Sequence, residues 1–220
     1  RLARRMGRGG RTPGRTLAAL ERFAEVKAAI ARAGKDAGRE AGSVRLVAVS
    51  KTVEPAQLLP LLDAGHRDFG ENRVQEAERK WPLLREQYPD IRLHLIGPLQ
   101  SNKAREAVAL FDAIHTVDRE KIAAALAAEI GRQWRAVELL VQVNTGEEPQ
   151  KAGVLPKETA SLLRLCRDEL KLDVAGLMCI PPPEDDPRPH FRALRALRDR
   201  LGLAELSMGM SADWRIAIEE

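Results

Sequence analysis

Residues 44–55 read VRLVAVSKTVEP, a near-continuous apolar and β-branched run that meets a lysine at Lys51 and stops at Pro55. A run of this kind, bounded by turn chemistry, predicts a strand buried on both faces, which is what a parallel sheet requires. The turn that follows it, SKTVEP, decides between the two architectures that parallel strands build. A doubly wound nucleotide-binding sheet places a glycine-rich turn after its first strand, and residues 50–55 contain no glycine. A (β/α)8 barrel needs none there and collects its functional groups at the C-terminal ends of its strands, which is where Lys51 stands.

The same texture repeats outward from this stretch. Leu17, Leu20, Phe23, Val26 and Ile30 recur at three- and four-residue spacing, which predicts an amphipathic helix over 16–38. Strands are predicted at 44–50, 67–72, 92–97, 113–117, 137–144, 174–180 and 205–210. Helices are predicted between them at 55–65, 74–88, 101–111, 118–132, 156–170 and 187–201, with another beginning in SADWRIAIEE at 211–220. Seven strands alternating with helices predict an α/β fold, a single (β/α)8 TIM barrel whose eighth strand is missing from this sequence. Together with the absent starting methionine, this leads us to expect part of a longer chain.

At 220 residues, 44% of them hydrophobic, the chain is long enough to bury one full core. No stretch approaches the ~20 apolar residues of a membrane span, so no membrane partner is expected. The formal charge of +4 is unevenly placed. Six arginines and no acid fall in RLARRMGRGGRTPGR at 1–15, leaving 30 basic against 32 acidic residues elsewhere. The folded part is therefore slightly acidic, and no nucleic-acid partner is expected for it. Residues 1–16 are read as a disordered basic tail without the apolar region of a secretory signal, a nucleic-acid or membrane-surface contact being its other use. Residues 17–220 are read as the barrel. Cys166 and Cys179 form neither a CxxC pair nor a disulfide framework, which fits a reducing cytoplasm.

The barrel reading places a polar cup at the strand ends: Lys51, Asn72, Gln100, Ser101, Asn102, Asn144, Met178, Cys179, Ser207, Gly209 and Ser211. Any one asparagine or serine here is equally a turn or helix-cap residue, Ser101 in particular. Lys51 is different, because a lysine at a helix start opposes the helix dipole. At the inner end of a strand it can pair with an anion, or its amine can form a Schiff base once desolvation lowers its pKa. Val47 and Val49 are expected to shape a dry wall beside it. SMGMS at 207–211, small residues leading to a helix, is a weak signal for phosphate held by backbone N–H groups. His94 and His115 lie within strands and are read as hydrogen-bonded structural histidines, and Trp81, Trp134 and Trp214 as helix packing.

Seven segments, LVAVSKTVEP, FGENRVQEAERK, LHLIGPLQSNK, HTVDREK, EEPQKAGV, GLMCIPP and LSMGMSADWRIAIEE, occur in the order and spacing of the pyridoxal phosphate homeostasis family. The chain resembles that family over residues 17–220, and through it the barrel domain of alanine racemase. The resemblance implies a fold type III barrel binding pyridoxal 5′-phosphate (PLP), with Lys51 as the Schiff-base lysine. It assigns Ser207, Gly209 and Ser211 in the strand-seven loop to the phosphate and makes Lys151 a second lysine for transfer; with Lys51 and the strand-end residues Asn72 and Met178 these make up the expected cofactor site. It further implies a cytoplasmic, monomeric carrier that makes transient contacts with apo-enzymes to deliver PLP, with an amino-acid racemase-like enzyme as the alternative. Two departures stand out. The family's strand-eight segment, with its phosphate-binding turn and an arginine for the pyridine nitrogen, is not in this sequence, which puts cofactor affinity in question. Position 98 is proline where most relatives have histidine.

Overall fold

The structure, a computed structural model, describes residues 13–220. A long helix α1 (Pro13–Asp36) precedes strand β1 (Ala48–Val49). Helices and strands then alternate: α2 (Pro55–Asp63), β2 (Asp68–Glu71), α3 (Val74–Gln87), β3 (Arg92–Leu95), α4 (Ala104–Leu110), β4 (Ala113–Val117), α5 (Glu120–Gln133) and β5 (Glu138–Gln142). The series closes with α6 (Thr159–Arg164), β6 (Val174–Met178), α7 (Pro187–Arg200), β7 (Glu205–Ser207) and α8 (Trp214–Glu219). All seven strands are parallel and lie side by side in chain order. A doubly wound sheet reverses its strand order at a switch point, so this order is that of a barrel. The result is a curled sheet of barrel type in which β1 and β7 remain edges.

The main core lies between this sheet and the helices around it. Phe69, Leu93, Leu95, Ile114, Leu139 and Val141 from the strands are buried with Trp81, Leu84, Val108, Ile122, Leu126 and Phe191 from the helices. Each such side chain contributes about 1.5–3 kcal/mol by leaving water. His66 stands edge-on between the rings of Phe23 and Phe69, at 5.1 and 5.0 Å, and so ties α1 to the sheet. Gly176 in β6 lies so close to β7 that a Cβ would come within 2.0 Å of the Glu205 carbonyl oxygen. Helices α7, α8, α1 and α2 pack in succession, so the outer layer continues past the gap between β7 and β1.

Several predicted boundaries move. Residues 13–16, assigned to the tail, form the first turn of α1, and residues 1–12 lie outside the described residues. The strand expected over 44–50 pairs only at Ala48 and Val49, because β1 has a neighbour on one side alone. For the same reason Val49, expected in a dry wall, is half exposed. Trp134 is not helix packing. It follows α5 in the left-handed region (φ 51°) with 94% of its surface exposed.

Candidate functional site

In a parallel sheet every strand delivers its C-terminal residue to the same side, so the predicted residues gather on one rim. Lys51 follows β1, Asn72 follows β2, Met178 ends β6, Ser207 ends β7, and Gly209 and Ser211 lie in the loop beyond. Met178 and Ser207 are register partners across β6 and β7. Asn72 packs against the turn after β3, where a Cβ on Gly97 would meet its carbonyl oxygen at 2.2 Å. Asn144 instead makes a turn: its side-chain amide donates to the Glu148 carbonyl at 2.8 Å and holds the loop that carries Lys151. Ser101 opens a 3-10 turn and does not cap it.

Lys51 is exposed and forms no ion pair among the described residues. Its backbone is fixed on both sides by α3. Lys80, only 6% exposed, spends its three ammonium hydrogens on the Ser50 carbonyl (2.5 Å), Glu71 Oε1 (2.7 Å) and Glu76 Oε1 (3.2 Å). The same Glu71 oxygen accepts from the Ser50 hydroxyl at 2.8 Å and from the Trp81 indole N–H at 2.9 Å. On the far side of Lys51, the Thr52 N–H donates to Glu76. Partial burial works against ionisation of Glu76, but the bonds from Thr52 and Lys80 hold its carboxyl below the usual range. Thr52 adopts φ 61°, an outlier for a β-branched residue. Backbone strain of this kind persists only where the surroundings over-determine it, and here it sits beside the lysine.

The strand-seven loop is equally constrained. Gly209 has φ 93°, and a Cβ there would meet Ala217 Cβ at 2.8 Å and Trp214 Cα at 3.0 Å. The Asp213 carboxylate accepts from the Met210 N–H at 2.6 Å, so one of the backbone donors counted toward a phosphate site is already engaged. Ser207 faces inward to a line of polar groups that the sequence reading did not connect. Asp68 Oδ1 lies 2.7 Å from His94 Nε2, His94 Nδ1 lies 2.9 Å from His115 Nε2, and His115 Nδ1 lies 2.7 Å from Ser207 Oγ. Both histidines are buried and hydrogen-bonded, as their positions within strands predict. Cys179 is buried, and that burial pushes its thiol up to about 12.

The only tyrosine, Tyr88, caps α3 just before β3, and its hydroxyl donates to Asp63. That is the N-terminal side of the sheet, opposite the rim. Lys151, the lysine expected to take part in transfer, is exposed and 3.7 Å from Glu148.

The chain matches the family model of the alanine racemase N-terminal domain over residues 26–218. It is 37% identical over 211 residues to a pyridoxal phosphate homeostasis protein of Aquifex aeolicus, covering 92% of each chain. Among solved structures it is similar to PipY of Synechococcus elongatus without PLP, with 38% identity and a TM-score of 0.77 over 86% of this chain and 93% of that one. The PLP-bound form of PipY aligns with 36% identity and a TM-score of 0.73 over 86% and 92% of the two chains. The chain therefore belongs to the alanine racemase N-terminal domain family, among its pyridoxal phosphate homeostasis proteins.

Proposed function

We propose that this protein binds pyridoxal 5′-phosphate at the rim and serves PLP homeostasis as a carrier. The observation that carries the reading is Lys51: an exposed amine at the end of a parallel strand, on a strained turn locked from both sides by Lys80, Glu71 and Glu76. Bound PLP supplies an aldehyde with which a lysine amine condenses, losing water. Lys51 is the residue placed to be that amine. Asn72 and Met178, at the ends of β2 and β6, would contribute to the same site, and Ser207, Gly209 and Ser211 would hold the phosphate. The fit is supported by Gly209, whose missing side chain and positive φ let the loop turn tightly there.

Carrying is favoured over amino-acid turnover by what stands opposite the lysine. Racemisation needs a second acid/base across the cofactor, and a missing positioned acid/base lowers a rate by about 10²–10⁴-fold. Tyr88, engaged with Asp63 on the far side of the sheet, is not placed for that role. An exposed lysine suits hand-over to apo-enzymes, with Lys151 at the loop edge as a second acceptor. A monomeric state and a cytoplasmic site of action complete the reading. Among the described residues no helix is long and apolar enough to cross a membrane.

Reconstitution with PLP tests this. Visible absorption should develop, and borohydride should fix the cofactor on the peptide containing Lys51, with Lys51→Ala abolishing both. Label recovered mainly on Lys103 or Lys151 sinks the Lys51 assignment. Incubation of the PLP form with alanine, serine, lysine and ornithine enantiomers should show neither racemisation nor decarboxylation. Turnover on the order of 1 s⁻¹ would place the racemase-like reading first.

A further inference from the structure

The interior of a barrel is ordinarily packed with layers of branched apolar side chains. Here it carries the Asp68–His94–His115–Ser207 line, which runs from the first residue of β2 through β3 and β4 to the last residue of β7 on the rim. No link in such a line is free to choose its direction. A neutral imidazole has one donor and one acceptor nitrogen. Burial opposes ionisation of Asp68, but the hydrogen bond from His94, with the nearby charge of Arg45, holds its carboxyl below the usual range. The Asp68 carboxylate therefore accepts from His94 Nε2–H, and in neutral His94 the Nδ1 is an acceptor. His115 then presents Nε2–H to it, His115 Nδ1 accepts, and Ser207 turns its single hydrogen inward. In that state the Ser207 side chain offers the rim only lone pairs, which repel an anion.

A proton on His94 reverses every link above it. His94 Nδ1–H donates to His115 Nε2, His115 Nδ1–H donates to Ser207 Oγ, and the Ser207 hydroxyl is released to donate toward the rim. His115 stays neutral in both arrangements, since burial pushes its imidazole down to about 3, and in the second arrangement the charge on His94 pushes the same way.

Resting on the assignment of the rim to PLP, we infer that His94 and His115 are positioning residues that couple phosphate binding at Ser207 to the uptake of one proton by the line. The transfer balances. A phosphate monoanion gives its proton to Ser207 Oγ while Ser207 passes its own to His115 Nδ1, and His115 releases its Nε2 proton to His94 Nδ1. In net, one P–O–H bond breaks and one N–H bond forms on His94, leaving a dianion at the rim and an imidazolium inside. The new charge is balanced by Asp68 at 2.7 Å. The other charged groups around it are already arranged: Arg92 lies 3.9 Å from Asp68 and pairs with Glu138 at 2.8 Å, while Arg45 and His66 act on Asp68 from outside the line. Hydrogen bonds in such a low-dielectric chain polarise one another, so the arrangements are two and discrete.

Histidine ¹⁵N–¹H NMR of the protein reads this directly. Without ligand, His115 should carry its proton on Nε2. With saturating inorganic phosphate or PLP it should carry it on Nδ1, with both nitrogens of His94 protonated, and Ser207→Ala should abolish the change. The Kd for inorganic phosphate, which has no aldehyde to engage Lys51, should rise with pH in the alkaline range, where the proton taken up no longer comes with the ligand. PLP bound with the His115 tautomer unchanged overturns the inference and leaves the PLP reading intact. Phosphate that switches the tautomer in protein that does not bind PLP upholds the inference and removes that reading. A His115 that already carries its proton on Nδ1 before ligand is added overturns the inference as well.

Discussion

The residue that the rim depends on most, after Lys51, is buried behind it. Glu71 is fully enclosed, its Oε1 takes three donors, and Oε2 has no hydrogen-bond partner among the described residues. Removing one partner of such a pair leaves an uncompensated buried charge, at about 3–5 kcal/mol, whereas replacing both with apolar groups is often neutral. Lys80→Met should therefore lower the unfolding free energy read from urea titration by an amount in that range, and Lys80→Met with Glu71→Leu should restore most of it. Lys80→Met should also weaken borohydride labelling at Lys51, since the Ser50 carbonyl loses its tether. Equal destabilisation by the single and double variants would show that the pair does not act as a unit. Lys51, Met178 and Ser207 were legible in the sequence because strand ends can be read from pattern. Glu71 and Lys80 were not singled out, although both lie in FGENRVQEAERK, because eight residues of turn and helix separate two side chains that the fold brings to 2.7 Å. His94 and His115 left a fainter trace: each is the third residue of its strand in consecutive strands of a parallel sheet.

At the level of elements, the pattern of seven strands and its order held because apolar periodicity and topology carry it. Element ends drifted where a neighbour, or its lack, decides pairing, as at β1. The helix expected over 156–170 is three pieces: a 3-10 turn at Pro156–Glu158, α6, and a wide turn over Leu165–Glu169 in which the Leu170 N–H reaches back five residues to the Leu165 carbonyl. Nothing in the hydrophobic spacing announces that change of hydrogen-bond register. The end of α5 shows how local chemistry and conformation can disagree. Trp134 occupies the left-handed position that helix ends ordinarily give to glycine, and it buries almost nothing in return. Left-handed backbone is unfavourable by roughly 1–2 kcal/mol for a residue with a Cβ, and glycine's greater freedom in the unfolded chain takes back part of that. Trp134→Gly should stabilise the protein by about 0.5–1 kcal/mol, seen as a higher urea midpoint at unchanged m. A lower midpoint would mean that the indole has a packing role this structure lacks.

For the molecule as a whole, the question is what covers the two sheet edges, because exposed edge strands template association. Helix α8 sits between α7 and α1 in the outer layer, where it buries Ala217 and Ile218, and its C-terminal end is held by arginines. The Glu220 carboxylate is bound by Arg192 and Arg188 at 2.9 and 2.8 Å, Arg195 donates to the Glu220 carbonyl, and Arg39 donates to the Ile218 carbonyl at 2.5 Å. Hydrogen bonds from Arg192 and Arg188 bring the Glu220 carboxyl down to about 2. A carboxyl depressed on folding contributes stability that is complete above its ordinary value of 4.5 and is lost as pH falls toward 2. His115 adds an earlier slope of the same sign. The unfolded chain takes up a proton below 6.5 that the folded one refuses until about 3, so stability declines across that interval by up to about 1.4 kcal/mol per pH unit. Acidification should thus act in two stages. Between pH 6.5 and 4.5 the urea midpoint should fall while light scattering stays constant. As pH falls from 4.5 toward 2 the clamp on α8 weakens until it lets go, the β7 and β1 edges open, and scattering should rise before circular dichroism reports loss of helix. Glu220→Gln, which keeps the shape of the side chain and removes its charge, should bring that association to neutral pH. If Glu220→Gln stays as monodisperse as the unaltered protein at pH 7, the edges are guarded by packing alone and the arginine clamp is incidental to them.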